Sequence, residues 1–324
     1  MKYVLYNLKD IIKNNIKFIY RFLLYRRMAE TIQIEPTTRC MFNCSICSRN
    51  SLRKERVNKD MDWETYEAIL DYPYIKKMRF QGMGEPFFNI KLLDMLKSAK
   101  KRGIYTIITS TGFFPPESPP IEEFIPYLNE LWLSIDSFSE EKEVKRNPIH
   151  TIKKLNSIKI PASFMWGINF VITFENLQEL DYFENFFISY KPDLLCFAEV
   201  ENWYLPSQGE IYKKSHEFAK KTKESSKLIS KKLYDIRQKI SAKKFYISDL
   251  KPRKNSCLWP VTGIFITYDG YVTPCCIRMD PDVINFGNIR KKPLIEILNG
   301  GKYNDYRKAL LFRKPYSCCD FCPL

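Results

Sequence analysis

From residue 31 onward, short apolar runs alternate with stretches in which apolar residues recur at helical spacing. The runs at 31–36, 77–81, 104–109, 131–135, 165–172 and 194–200 predict strands, and the stretches near 62–71, 89–102, 121–129, 140–157 and 177–189 predict helices. Strands and helices in strict alternation imply an α/β fold, with a parallel sheet and right-handed crossovers. In such folds the chemistry gathers at the carboxyl ends of the strands, where the connecting loops meet. Pro115, Pro116, Pro119 and Pro120 mark a rigid, non-helical connection after the third strand. A Lys-rich segment at about 208–244 follows the sixth strand, with Leu228, Leu233, Ile236 and Ile240 at helical spacing, and it predicts a solvated helical link. Beyond it, 263–272 predicts a hairpin turning at Asp269-Gly270, and a helix is expected near 293–312. Ahead of all this, residues 3–24 place Val4, Leu5, Leu8, Ile11, Ile12, Ile16, Ile19 and Leu23 on one helical face and Lys9, Lys13, Lys17 and Arg21 on another.

Composition narrows the classes. With 324 residues, 45% hydrophobic and 27% charged, the chain matches an ordinary globular protein with one large core, or a core plus a small domain. No run reaches the 18 or more uninterrupted apolar residues of a membrane span. The lysines interrupt any signal-peptide core at the start, so that segment is either a basic helix lying on anionic lipid or one docked on the body of the protein. The ten cysteines fall in tight groups rather than a spread framework, which points to metal or cluster ligands and a reducing, cytoplasmic setting. The net charge of +15 suits an anionic partner, or simply solvated lysines on helix faces.

The cysteine groups carry the candidate chemistry. Cys40-x3-Cys44-x2-Cys47 follows the alternating Thr31-Ile32-Gln33-Ile34-Glu35 strand, on a loop that can turn three sulfurs toward one point. Three thiolates leave one coordination position open, and neither His150 nor His216 lies nearby in sequence to fill it. The second strand ends in Gln81-Gly82-Met83-Gly84-Glu85-Pro86, where glycines allow close backbone approach to a ligand. The fourth ends in Ser134-Ile135-Asp136, with Asp136 either facing a ligand or capping the following helix. Thr109, Ser110 and Asn169 read as internally hydrogen-bonded residues, and Glu199, Glu201, Trp203 and Tyr204 as either substrate or rim residues. Cys257-x17-Cys275 and Cys319-x2-Cys322 supply a second set of four thiols, leaving Cys196, Cys276 and Cys318 spare. Cys276 and Cys318 each adjoin a proposed ligand and are open to exchange with it.

Taken together these motifs resemble the radical S-adenosylmethionine (radical SAM) family, with an appended auxiliary-cluster domain of the twitch or SPASM type. The resemblance covers the chain from residue 31 to its end. Two departures are Ile46, where an aromatic residue is usual, and Met83, where the family has the first glycine of Gly-Gly-Glu. It implies a partial (β/α)6 TIM-type barrel over 31–240, a hairpin-plus-helix iron–sulfur domain over 241–324, and an N-terminal helix over 1–30 outside the family pattern. It implies a [4Fe–4S] cluster on Cys40, Cys44 and Cys47 that binds S-adenosylmethionine, with Gly82, Gly84, Glu85, Ser134 and Asp136 as cofactor contacts. An auxiliary [4Fe–4S] cluster would sit on Cys257, Cys275, Cys319 and Cys322. One electron would then cleave the sulfonium, the resulting radical would take a substrate hydrogen atom, and the auxiliary cluster would accept an electron in a net oxidation. The expected substrate is a small molecule, such as a sugar-like alcohol, or a peptide; a lipid would give the N-terminal helix a purpose. Flavodoxin or ferredoxin is the expected reductant, and peripheral contact with the inner membrane face through the N-terminal helix is a further expectation. Nucleic acid is not an expected partner. The rival reading is a basic, non-catalytic module with zinc in both groups that grips nucleic acid.

Overall fold

The computed structural model describes residues 29–45, 47–138, 146–248, 257, 259–311, 314, 316–319 and 322, together with Ile16 and Leu23. The helix expected over 3–24 lies outside the described residues save for those two, and Ile46 lies outside them as well. All six expected strands form: β1 (Thr31–Ile34), β2 (Lys77–Phe80), β3 (Tyr105–Ser110), β4 (Glu130–Ile135), β5 (Met165–Ile172) and β6 (Leu194–Glu199). Three more join them, β7 (Lys244–Ser248), β8 (Gly263–Ile266) and β9 (Val272–Thr273), in the order β7-β6-β5-β4-β3-β2-β1-β8-β9. Every pairing is parallel except β8 with β9.

Side chains alternate across the sheet, and the two faces differ in kind. Ile32, Ile34, Met78, Phe80, Leu131 and Leu133 enter one main core with helical residues such as Tyr66, Leu96 and Leu155. The opposite face carries a separate small cluster of Ile107, Trp132 and Leu194, bordered by Tyr105, Met165 and Cys196. This second face curls on itself. Glu130 on β4 and Lys244 on β7 form an ion pair of 2.7 Å, although three strand spacings of about 4.8 Å each, plus a register offset, would separate them beyond side-chain reach in a flat sheet. The curl makes a concave face lined from several strands, as in a partial barrel.

The helices bury apolar stripes against the sheet, although the expected 121–129 helix is only Ile121–Phe124 followed by a 3-10 turn, and 177–189 opens as a 3-10 turn before Phe183–Tyr190. Trp63–Leu70 begins on Asp62, whose carboxylate accepts the Thr65 amide at 2.8 Å. The Lys-rich link is two helices, Glu210–Glu224 and Ser226–Lys239, broken at Ser225, and its expected last residue, Lys244, opens β7 instead. The 293–312 helix is likewise two, Leu294–Asn299 and Gly301–Leu311, because the backbone at Gly300 is extended. The hairpin turns at Asp269-Gly270 as expected, with Gly270 at φ 87°. It is not a detached unit, since β8 lies against β1 in parallel register, Thr31 opposite Gly263 through Ile34 opposite Ile266.

Candidate functional site

The Cys40–Cys47 loop leaves the carboxyl end of β1, and its backbone is tied down on all sides. Thr38 donates its hydroxyl to the Arg56 carbonyl at 2.7 Å, and its carbonyl accepts Arg49 Nε at 2.7 Å. The Cys44 carbonyl takes the Cys47 amide at 3.1 Å and Asn50 Nδ2 at 2.9 Å, and the Cys47 carbonyl takes the Tyr204 hydroxyl. The Thr38, Cys44 and Cys47 carbonyls are thus occupied, while all three thiols are half-buried and outside any disulfide. Burial pushes the Cys40 thiol up, with Glu85 and Cys47 adding to it, and burial pushes Cys47 up, with Cys44 adding and Arg146 opposing.

The Gly82–Glu85 turn at the end of β2 is wedged against this loop. A Cβ on Gly84 would lie 2.4 Å from the Thr37 carbonyl oxygen and 2.6 Å from that of Arg39, so only glycine fits. A Cβ on Gly82 would meet the Glu35 side chain at 2.6 Å. Met83, the departure from the family pattern, is buried with Phe265 and Met279, so the C-terminal segment covers the extra side chain. Glu85 is buried as well. It accepts Ser110 Oγ at 2.7 Å, the Thr111 amide at 2.7 Å and Thr111 Oγ1 at 2.8 Å, so it clamps the ends of β2 and β3 together. Burial raises its pKa and those hydrogen bonds oppose the rise.

Ser134 and Asn169 are register partners on the concave face of β4 and β5. Neither side chain has a hydrogen-bond partner among the described residues, so both stay available to a ligand. For Asn169 this reverses the expectation of an internally satisfied amide. Thr109 and Ser110 are satisfied as expected, by Gln81 at 3.0 Å and Glu85 at 2.7 Å. Asp136 makes a bidentate pair with Arg146, Oδ2 with Nε at 2.8 Å and Oδ1 with Nη2 at 2.5 Å. The helix that Asp136 is expected to cap begins at Ile149, with 139–145 outside the described residues.

Four further residues of the site are ones that the sequence pattern misses or leaves undecided. Arg146 lies within electrostatic range of Cys44 and Cys47, and Tyr204, read as substrate or rim, buttresses the cluster loop from beyond β6. Glu35 is buried at the end of β1, where its carboxylate accepts the Met83 amide at 3.2 Å and the Tyr268 amide at 3.3 Å. Burial pushes its pKa up from 4.5 to about 7. Arg56 braces the same junction, pairing with both oxygens of Asp269 at 2.7 and 3.1 Å.

Of the second cysteine set, Cys275 follows β9, with Cys276 next to it. Cys275 is raised by burial, and it feels Cys276 and Cys257; Tyr306 hydrogen-bonds Cys319 Sγ at 3.0 Å and feels Cys275. Cys276 feels Cys322 and Cys257 but packs on the concave-face cluster with Met83, and Cys318 Sγ lies 4.0 Å from Cys319 Sγ. Arg278 holds the terminal segment by donating from Nε to the Cys318 carbonyl and from Nη1 to the Trp203 carbonyl at 2.7 Å. Among the described residues no three Cys, His or carboxylate side chains converge on a single-ion position. Thiols on the separate irons of a cluster stand wider apart than ligands of one ion.

Comparison with known proteins agrees with this geometry. Residues 34–186 match the radical SAM superfamily and residues 257–323 match SPASM, an iron–sulfur cluster-binding domain. The chain belongs to the radical SAM superfamily and carries a SPASM domain. Its radical SAM domain binds a [4Fe–4S] cluster with S-adenosylmethionine and its SPASM domain binds auxiliary iron–sulfur clusters, which overturns the zinc module. A relative from Pyrococcus furiosus, the tungsten-containing aldehyde ferredoxin oxidoreductase cofactor-modifying protein, is 23% identical over 90% of this chain and 88% of its own. A probable GTP 3',8-cyclase from Methanococcus vannielii is 23% identical over 79% of this chain and 88% of its own. In fold, SuiB of Streptococcus suis bound to S-adenosylmethionine superposes with a TM-score of 0.66 at 15% identity, covering 93% of this chain and 73% of that one. The anSMEcpe structure with bound AdoMet gives a TM-score of 0.57 at 17% identity, over 90% and 88% of the two chains. No helix among the described residues is long and apolar enough to cross a membrane.

Proposed function

We propose that this enzyme cleaves S-adenosylmethionine reductively at the Cys40–Cys44–Cys47 loop and removes a hydrogen atom from a substrate C–H bond in a net oxidation. The observation that supports the reading is the pairing of β8 with β1, which sets the C-terminal segment that carries Cys275 beside the strand leading into the Cys40–Cys47 loop. A cluster on Cys40, Cys44 and Cys47 would supply the single electron that splits the sulfonium bond. A closed cluster on Cys257, Cys275, Cys319 and Cys322 would take up the electron that the substrate radical gives away, which suits oxidation.

The protein's own groups bind, orient and exclude water. Gly82 and Gly84 let the β2 backbone approach the cofactor, and Glu85 holds that turn rigid from behind. Ser134 and Asn169 offer a hydroxyl and an amide toward a ribose or adenine edge, and Asp136 is available to a ligand only while shared with Arg146. The Arg146 guanidinium beside Cys44 and Cys47 offsets thiolate charge. Dehydrogenation of a small molecule and modification of a peptide side chain both fit a net oxidation. The similarity to a cofactor-modifying protein over nearly the whole chain favours the small molecule. A flavodoxin or ferredoxin would serve as reductant. The test is anaerobic incubation of iron-loaded protein with S-adenosylmethionine and dithionite. Wild type should release 5′-deoxyadenosine and Cys44→Ala should release none; a colourless wild type containing zinc and no sulfide would sink the reading.

A further inference from the structure

Arg79 stands on β2 between Gln33 of β1 and Ile107 of β3. Met78 and Phe80 on either side enter the main core, so Arg79 points from the concave face. Its charge opposes the burial that raises the pKa values of Tyr105 on β3, Cys196 on β6 and Cys276 beyond β9. In a flat sheet, four strand spacings would hold β2 and β6 about 19 Å apart. Among the described residues, Arg79 has neither an ion-pair nor a hydrogen-bond partner.

The carboxylates of the same face are engaged elsewhere. Glu130 takes Lys244 at 2.7 Å, the Tyr105 hydroxyl at 2.8 Å and Trp132 Nε1 at 2.9 Å. Glu35 is held by two backbone amides and Asp136 by Arg146. Lys77 adds a further positive charge over the Tyr105 ring, at 5.3 Å. The concave face therefore has an excess of cations with one guanidinium fork open. Holding a charge partly out of water without a counter-ion is costly. A planar fork of donors matches phosphate and carboxylate oxygens two at a time.

We propose that Arg79 anchors an oxyanion group, phosphate or carboxylate, of a small-molecule substrate inside the concave face. The inference rests on the function proposed above and narrows its substrate class. Arg79 precedes Gly82 by three residues, so an oxyanion held there would lie about 10 Å along the strand from the glycine turn. Cleavage of S-adenosylmethionine does not require this contact, so anchoring and cofactor chemistry are separable.

The test uses iron-loaded wild type, Arg79→Gln and Arg79→Lys. Each is titrated calorimetrically with inorganic pyrophosphate and with malonate, and each is assayed for 5′-deoxyadenosine without substrate. Wild type should bind at least one anion saturably at one site, with the tighter of the two reporting phosphate or carboxylate preference. Arg79→Gln should bind it at least tenfold more weakly, and Arg79→Lys, which keeps the charge but not the fork, should fall between them. Nucleoside formation in both variants should stay within twofold of wild type. Equal affinity in wild type and Arg79→Gln, or no saturable binding by wild type, overturns the proposal. A tenfold loss of nucleoside in Arg79→Gln also overturns it, by assigning the residue to the cofactor. If wild type itself makes no nucleoside, the radical reading fails while the anion comparison still decides Arg79. Should Arg79→Gln lose its iron, Arg79→Lys carries the comparison.

Discussion

At the scale of single residues, Gly84 and Glu35 make the sharpest predictions. A methyl at Gly84 would press on two backbone carbonyls of the cysteine loop, neither of which can rotate away. Gly84→Ala should therefore lower iron retention and cut 5′-deoxyadenosine formation at least tenfold, whereas Gly301→Ala, in open space, should do neither. Glu35 predicts a pH dependence. Its pKa is raised from 4.5 to about 7 by burial, so between those values the folded protein holds a proton that the unfolded chain has released. Stability should fall as pH rises from about 4.5 to 7, with a slope from this group of at most about 1.4 kcal/mol per pH unit, and flatten above. Denaturation midpoints measured across that range should show this component in wild type and lack it in Glu35→Gln. Identical pH profiles would refute the assignment. The Cys40, Cys44 and Cys47 spacing was legible from sequence because a short loop keeps its residues together. Arg146 and Tyr204 were not, since they reach the same loop from 99 and 157 positions beyond Cys47.

At the scale of elements, the junction of β1, β8 and the cysteine loop holds two functional groups in register. Arg56 and Asp269 pair bidentately there with side chains only 11% and 23% exposed, and Arg56 also lies 5.0 Å from the Tyr268 ring. Arg56→Met leaves Asp269 without its partner and should destabilise the protein by about 3 kcal/mol, somewhat less if water enters. Comparing Arg56→Met, Asp269→Asn and the double variant gives the coupling directly, and an additive pair would contradict the bridge. The strands β1 to β6 were legible because each is a discrete apolar run between helical stretches. β7 was not, because Lys244-Phe245-Tyr246-Ile247-Ser248 follows a Lys-rich helical pattern without a break. Its strand character comes from pairing with β6, Leu194 opposite Lys244 through Ala198 opposite Ser248.

At the scale of the whole molecule, the two cysteine groups should be separable in composition and in function. Anaerobically reconstituted wild type should hold about eight irons, and Cys319→Ala about four. Cys319→Ala should keep most of its nucleoside formation and lose substrate oxidation. Equal loss of both would remove the electron-accepting role from the second group. The chain carries a basic surplus of +15, and many of its lysines lie exposed on solvated helices. Exposed pairs such as Lys213 with Glu210 and Lys221 with Glu217 show ordinary helix-surface placement, and salt should weaken them with little effect on stability.

The amino-acid order by itself determined the alternation of strands and helices, the two cysteine groups and the glycine turn after β2. Each of these depends on neighbours within a few positions, where chain connectivity fixes proximity. Only the tertiary structure decided which face of the sheet curls inward, that the C-terminal hairpin extends the sheet beside β1, and that Arg79 stands inside the curl with its fork open. Those outcomes depend on contacts between residues far apart in sequence, which bury apolar side chains on both faces of the sheet.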